Sequence, residues 1–138
     1  MSGLLLDTHI WLWYAEGIPD VLSPGVVAHI EEARKQRRLY ISVISVWEIG
    51  LLLAKNRIVL SMPLPEWVEQ AAALPGLGLR ALTAEVALES TSLPGELHAD
   101  PADRFLIAEA RVAGLMLVTA DRKIIDYGHA GQVRVLGA

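Results

Sequence analysis

Residues 100–121 read DPADRFLIAEARVAGLMLVTAD, and their pattern decides the fold class. Asp100-Pro101 is a helix start, an acid that accepts from free backbone amides followed by a proline at the first helical position. Leu106, Ile107 and Ala110 recur at helical spacing. Gly114 is the residue type that ends helices. Leu115–Thr119 then runs apolar without alternation, as a strand buried on both faces does. Asp121 follows two residues later. The stretch predicts a helix, a buried strand and an acid just past the strand's carboxyl end.

The same unit recurs on either side. Gly3–Leu6 reads as a short buried strand ending directly at Asp7, with helical signals from Thr8 to about Ala15. Ser23-Pro24 starts a helix that runs to the basic cluster Arg34–Arg38. Leu39–Val43 reads as a second strand, and Ser45 opens a helix through about Lys55. Residues 65–74 predict a helix, 79–82 a weaker strand, and Thr83 caps a helix to about Thr91. Pro94–Ala99 reads as loop, and Val133–Leu136 as a last strand after Gly128 and Gly131. Strands alternating with helices predict an α/β fold with a parallel sheet covered on both faces. Residues 1–138 are expected to form a single domain.

Composition sets limits on function. The chain lacks cysteine, which excludes disulfides and thiolate metal sites and suits a reducing cytoplasm. No apolar run approaches the roughly 20 residues of a membrane span, so a soluble cytoplasmic protein is expected. The net charge of −4 argues against a broad electrostatic nucleic-acid binder, although clustered metal-binding acids contribute negative charge themselves. Hydrophobic residues make up 53% and mean hydropathy is +0.39, a surplus that suggests cover by another chain.

Four acids carry the chemistry. Asp7 and Asp121 follow strands, and Glu48 is placed in the first turn of the helix after the second strand. In parallel sheets, sites form beyond the carboxyl ends of the strands, so these three belong to one edge. Glu48 is the lone charge between Ile41 and Ala54, an expensive residue to bury without a partner. Asp103 shares the helical stripe of Leu106 and Ile107 and points inward. Gathered carboxylates raise one another's pKa. A hard divalent cation relieves that cost, and an oxygen-only donor set suits Mg²⁺ or Mn²⁺. Such an ion can activate water against a phosphate ester.

Each acid also has a plainer reading. Ser45-x-x-Glu48 has the form of a capping box, Asp100 that of an N-cap, Asp121 that of a turn residue, and Asp103 suits a helix dipole. His9 and His98 lie near the acids without metal-site spacing. Trp11, Trp13 and Tyr14 are core or stacking residues.

Leu4-Leu5-Leu6-Asp7-Thr8-His9 resembles the opening of PIN domains, particularly the VapC-type toxins of bacterial toxin–antitoxin pairs. Ser45-Val46-Trp47-Glu48 resembles their second motif, His98–Arg104 continuing through Phe105-Leu106-Ile107-Ala108 their third, and Thr119-Ala120-Asp121 their fourth. The matches keep the family's order and span nearly the whole chain. The resemblance implies a three-layer α/β/α sandwich with a central parallel sheet. It also implies a Mg²⁺- or Mn²⁺-dependent endoribonuclease, an RNA substrate, a cognate antitoxin and a homodimer. The family's catalytic and metal-binding acids carry over to Asp7, Glu48, Asp103 and Asp121, with Asp100, Thr119, Ser45 and Arg104 as supporting or substrate-contacting residues. Two other functions fit parts of the pattern. A strand ending in Asp-Thr also resembles haloacid-dehalogenase-like phosphatases, although position 9 is His where that family has a second acid. A non-catalytic scaffold of the same fold would bind a partner only.

Overall fold

The structure is a computed structural model that describes residues 3–138. Its elements run β1 (Leu4–Leu6), α1 (Thr8–Glu16), α2 (Pro24–Lys35), β2 (Leu39–Ser42), α3 (Val43–Ala54), α4 (Leu64–Ala72) and β3 (Leu77–Arg80). They continue with α5 (Ala84–Ser90), α6 (Pro101–Ala113), β4 (Met116–Thr119), α7 (Arg122–His129) and β5 (Val135–Gly137). The five strands form one sheet in the order β3-β2-β1-β4-β5, with every pairing parallel.

The period-2 geometry of strands divides the core into two clusters. Leu4 and Leu6 face one side, against Ile10, Trp11, Ile30, Ile49 and Trp67 from α1 to α4. Leu5 faces the other, against Val86, Leu106, Ile107, Ile124 and Tyr127 from α5 to α7. That is the three-layer α/β/α sandwich expected from the sequence. Leu5 and Leu6 are fully buried, which explains a central strand with no alternation. Trp11 belongs to this core. Its indole N–H donates to the Ala71 carbonyl at 3.2 Å, and its ring lies 4.9 Å from that of Trp67.

The topology also fixes where a site can form. From β1 the chain moves outward through β2 to β3, then returns to place β4 on the other side of β1. The crevice at the carboxyl ends of β1 and β4 is therefore the switch point of the sheet. Asp7 follows β1 and Asp121 follows β4, so both stand at that crevice.

Several boundaries differ from the sequence reading, each for a physical reason. β2 ends at Ser42, because the Ser42 hydroxyl caps α3 by accepting from Ile44 N at 3.1 Å. β3 lies at 77–80 rather than 79–82, set by its register with Leu39–Ser42. It is an edge strand and only half-buried, so it lacks the unbroken apolar signature. β5 starts at Val135 rather than Val133, and α4 spans 64–72 rather than 65–74. α7 covers a stretch to which the sequence reading assigns no element, and it contains Gly128. Ile124 and Tyr127 nevertheless bury one face of it. Gly114 does end α6, at φ +67°, a conformation that costs glycine little.

One acid escaped the sequence reading altogether. Glu109 on α6 is fully buried and meets the Arg80 guanidinium on β3 at 2.9 Å. Burial pushes its pKa up. The pair ties α6 to the edge strand, far in role from the acids at the switch point.

Candidate active site

Each candidate acid is positioned by local helix-start chemistry. Asp7 is the N-cap of α1, with extended backbone and Oδ1 accepting from Ile10 N at 3.0 Å. Asp121 caps α7, accepting from Lys123 N at 2.8 Å. Asp100 caps α6, accepting from Asp103 N at 2.9 Å, and Asp103 lies in that helix's first turn. Three helix N-termini thus meet at one edge of the sheet, each presenting positive partial charge. Asp7, Glu48, Asp103 and Asp121 line a single cavity of about 380 Å³, together with Asp100, His9 and Trp13.

Two threonines hold the acids in place. Thr119, fully buried at the end of β4, donates its hydroxyl proton to Asp7 Oδ2 and accepts from Asp121 N at 3.0 Å. One side chain therefore fixes both switch-point acids. Thr8, also buried, holds Glu48 through a hydrogen bond to Oε1 and lies 3.0 Å from Ser45 Oγ. A hydroxyl has one proton, and an ionised carboxylate only accepts. The Thr8 proton therefore serves Glu48, and Ser45 supplies the proton between the two hydroxyls. The sequence reading singled out Thr119 and Ser45 but missed Thr8. Its place directly after Asp7, as the first residue of α1, was the available signal.

The structure corrects the place of Glu48. α3 starts at Val43 under the Ser42 cap, so Glu48 sits in the second turn and Ser45-Glu48 is not a capping box. Ser45 is fully buried and supports Thr8 instead of starting the helix. Arg104 stands outside the cavity lining, and its guanidinium donates to the Ser90 and Leu97 carbonyls. It orders the loop before α6. His9 is exposed at the cavity, its ring 5.8 Å from that of Trp13.

The electrostatics follow from the gathering. Burial raises the pKa of Asp7, opposed by the hydrogen bonds from Thr119 and Ile10. Asp103 is pushed from 3.8 up to about 7, first by burial and then by Asp100, Asp121, Glu48 and Asp7. Its contribution to stability is therefore full below about pH 3.8 and is lost as pH rises through about 7. Asp103→Asn is expected to melt a few degrees above wild type at pH 8 in EDTA, and level with it at pH 4. Thermal denaturation at the two pH values checks this.

The donors of the four acids are all oxygens, a set that suits a hard divalent cation. Among the described residues, no three such side chains stand as a ready-made coordination set. Asp7 and Glu48 are held by threonine hydroxyls instead.

Comparison with known proteins agrees with this geometry. The model of the PIN domain matches residues 4–130. Ribonuclease VapC22 of Mycobacterium tuberculosis is 33% identical over 135 residues, 98% of this chain and 99% of that protein. Among solved structures, VapBC2 from Rickettsia felis, bound to a DNA fragment from their promoter, superimposes with a TM-score of 0.70 at 16% identity, covering 97% of both chains. DNA-bound VapBC from Salmonella typhimurium gives 0.68 at 17% identity, over 99% of this chain and 98% of the other. FitAcB from Neisseria gonorrhoeae gives 0.67 at 23% identity, over 97% and 96%. With the sheet order, the switch-point acids and a family match over nearly its whole length, the chain belongs to the PIN domain family.

Proposed function

We propose that the chain is a Mg²⁺- or Mn²⁺-dependent endoribonuclease and the toxin of a toxin–antitoxin pair. The observation that carries this reading is the gathering of Asp7, Glu48, Asp103 and Asp121 around one cavity at the sheet's switch point. The 33% identity to a ribonuclease over nearly the full length supports RNA as substrate. A toxin–antitoxin complex from Klebsiella pneumoniae is among the neighbours of known structure, which supports an antitoxin as partner. A homodimer and a cytoplasmic location, where RNA is met, complete the reading. No helix among the described residues is long and apolar enough to cross a membrane.

Asp7, Glu48, Asp103 and Asp121 would hold the cation. When bound, it makes water a stronger nucleophile and offsets charge on the phosphate under attack. The protein's own residues do the positioning. Thr119 holds Asp7 and the backbone of Asp121 in one arrangement, and Thr8 holds Glu48. Asp103, whose pKa burial and then the neighbouring acids push up to about 7, would be held as a full carboxylate beside a bound cation. The N-termini of α1, α6 and α7 favour an incoming phosphate over the bare acids.

Both oxygens of Asp7 carry hydrogen bonds. That arrangement suits a fixed ligand better than the free nucleophile a haloacid-dehalogenase-like phosphatase needs.

Thr119→Val removes the shared hydroxyl and is expected to lower cleavage about 10- to 100-fold, the usual effect of losing a group that orients ligands. The variant's cleavage rate beside its melting curve checks this. The function itself is tested by incubating the purified chain with mixed cellular RNA. Cuts in Mn²⁺ or Mg²⁺ that vanish in EDTA are expected. A folded, partner-free chain that cuts nothing under either metal contradicts the proposal.

A further inference from the structure

A second depression, of about 260 Å³, opens beside the acid cavity and shares Glu48 and Asp100 with it. Trp47 and Leu51, four residues apart on one face of α3, form its apolar wall. Trp47 is 51% exposed, an unusual state for the largest apolar side chain. Lys55 and Arg57 line the same depression. Among the described residues neither joins an ion pair. An exposed aromatic face, two uncommitted cations and continuity with a phosphate-cleaving centre describe one ligand chemistry.

We propose that this depression is the strand-entry groove of the site, in which Trp47 stacks on an unpaired base of single-stranded RNA while Lys55 and Arg57 meet its backbone. The proposal rests on the nuclease reading above. Stacking on a protein aromatic requires a base whose π face is free, which a duplex interior does not offer. The groove also answers the charge problem, since a chain of net charge −4 still presents its cations beside the acids. The two cations beside Trp47 and the continuity of the depression with the acid cavity favour substrate over self-association on this face.

The test uses the full chain carrying Asp7→Asn, which keeps the strand intact, and a fluorescein-labelled oligouridylate. Adding Trp47→Ala is expected to weaken binding about tenfold or more, and Trp47→Phe to recover most of it. Unlabelled oligouridylate should quench tryptophan emission in the parent, and Trp47→Phe should lose that quenching while still binding. Lys55→Ala with Arg57→Ala should flatten the dependence of affinity on salt. In the active chain, Trp47→Ala should act through KM more than through kcat. Equal affinity of parent and Trp47→Ala overturns the proposal. So does sedimentation showing that Trp47→Ala turns a dimer into a monomer with RNA binding unchanged, which marks the face as a self-interface. A parent that binds through Trp47, while the active chain never cuts RNA in Mn²⁺, supports the groove and sinks the nuclease.

Discussion

Asp7→Asn is expected to lower RNA cleavage by about 10³-fold or more while leaving the melting temperature at or above that of wild type. The change is isosteric. Oδ1 still accepts from Ile10 N, and the new amide donates to Thr119 Oγ1, whose hydroxyl rotates to accept. What disappears is a buried negative charge, whose burial raises the pKa of Asp7. Stability therefore rises or holds. Activity falls because the charge is what draws a cation to the switch point, and losing one preorganised electrostatic group typically costs 10²–10³-fold on its own. Cleavage rates read beside thermal denaturation check both halves. A folded Asp7→Asn chain that cuts at the wild-type rate removes Asp7 from the site.

Trp11→Ala is expected to cost about 3–5 kcal/mol, the usual range for deleting a fully buried large aromatic. A domain has only ~5–15 kcal/mol in total, so the variant should be close to unfolding at 37 °C. Three losses combine. The indole is completely buried, its contact with the Trp67 ring disappears, and the Ala71 carbonyl loses its donor. The last is costly because an unpaired buried acceptor keeps its desolvation penalty. Since α1 begins at the Asp7 cap, the damage also reaches the site. Trp11→Phe should recover much of the ring packing but not the hydrogen bond. Midpoints of urea unfolding for the two variants measure the difference.

What the sequence made legible followed from local rules. The Asp100-Pro101 start, the Gly114 stop and the run Leu115–Thr119 obey one-dimensional chemistry, and α6 and β4 lie where that chemistry puts them. The Ser23-Pro24 start of α2 is of the same kind. Acids after parallel strands are likewise legible, because strand ends share an edge whatever the loops do. Legibility failed where a tertiary partner decides. Two serines, Ser42 and Ser45, compete to cap α3, and Ser42 takes the cap because β2 ends there. Ser45 is then freed to meet Thr8, a contact made across 37 positions. β3 is defined by its register with β2, and α7 by burial of Ile124 and Tyr127. Glu109 drew no reading from the sequence, since Arg80, the partner that lets it be buried, lies 29 positions away.

The central claim is that water, activated at the acid cluster, cuts the RNA backbone. The chemistry of the new RNA ends tests it most directly. Attack by water leaves linear phosphate ends, whereas attack by the neighbouring 2′-hydroxyl, the route of acid–base catalysis without a metal, leaves a 2′,3′-cyclic phosphate. Mass spectrometry of RNA cut by the wild-type chain in Mn²⁺ should find linear ends throughout, and no cutting in EDTA. Cyclic phosphate ends that persist in EDTA would contradict the account and move the chemistry away from Asp7, Glu48, Asp103 and Asp121.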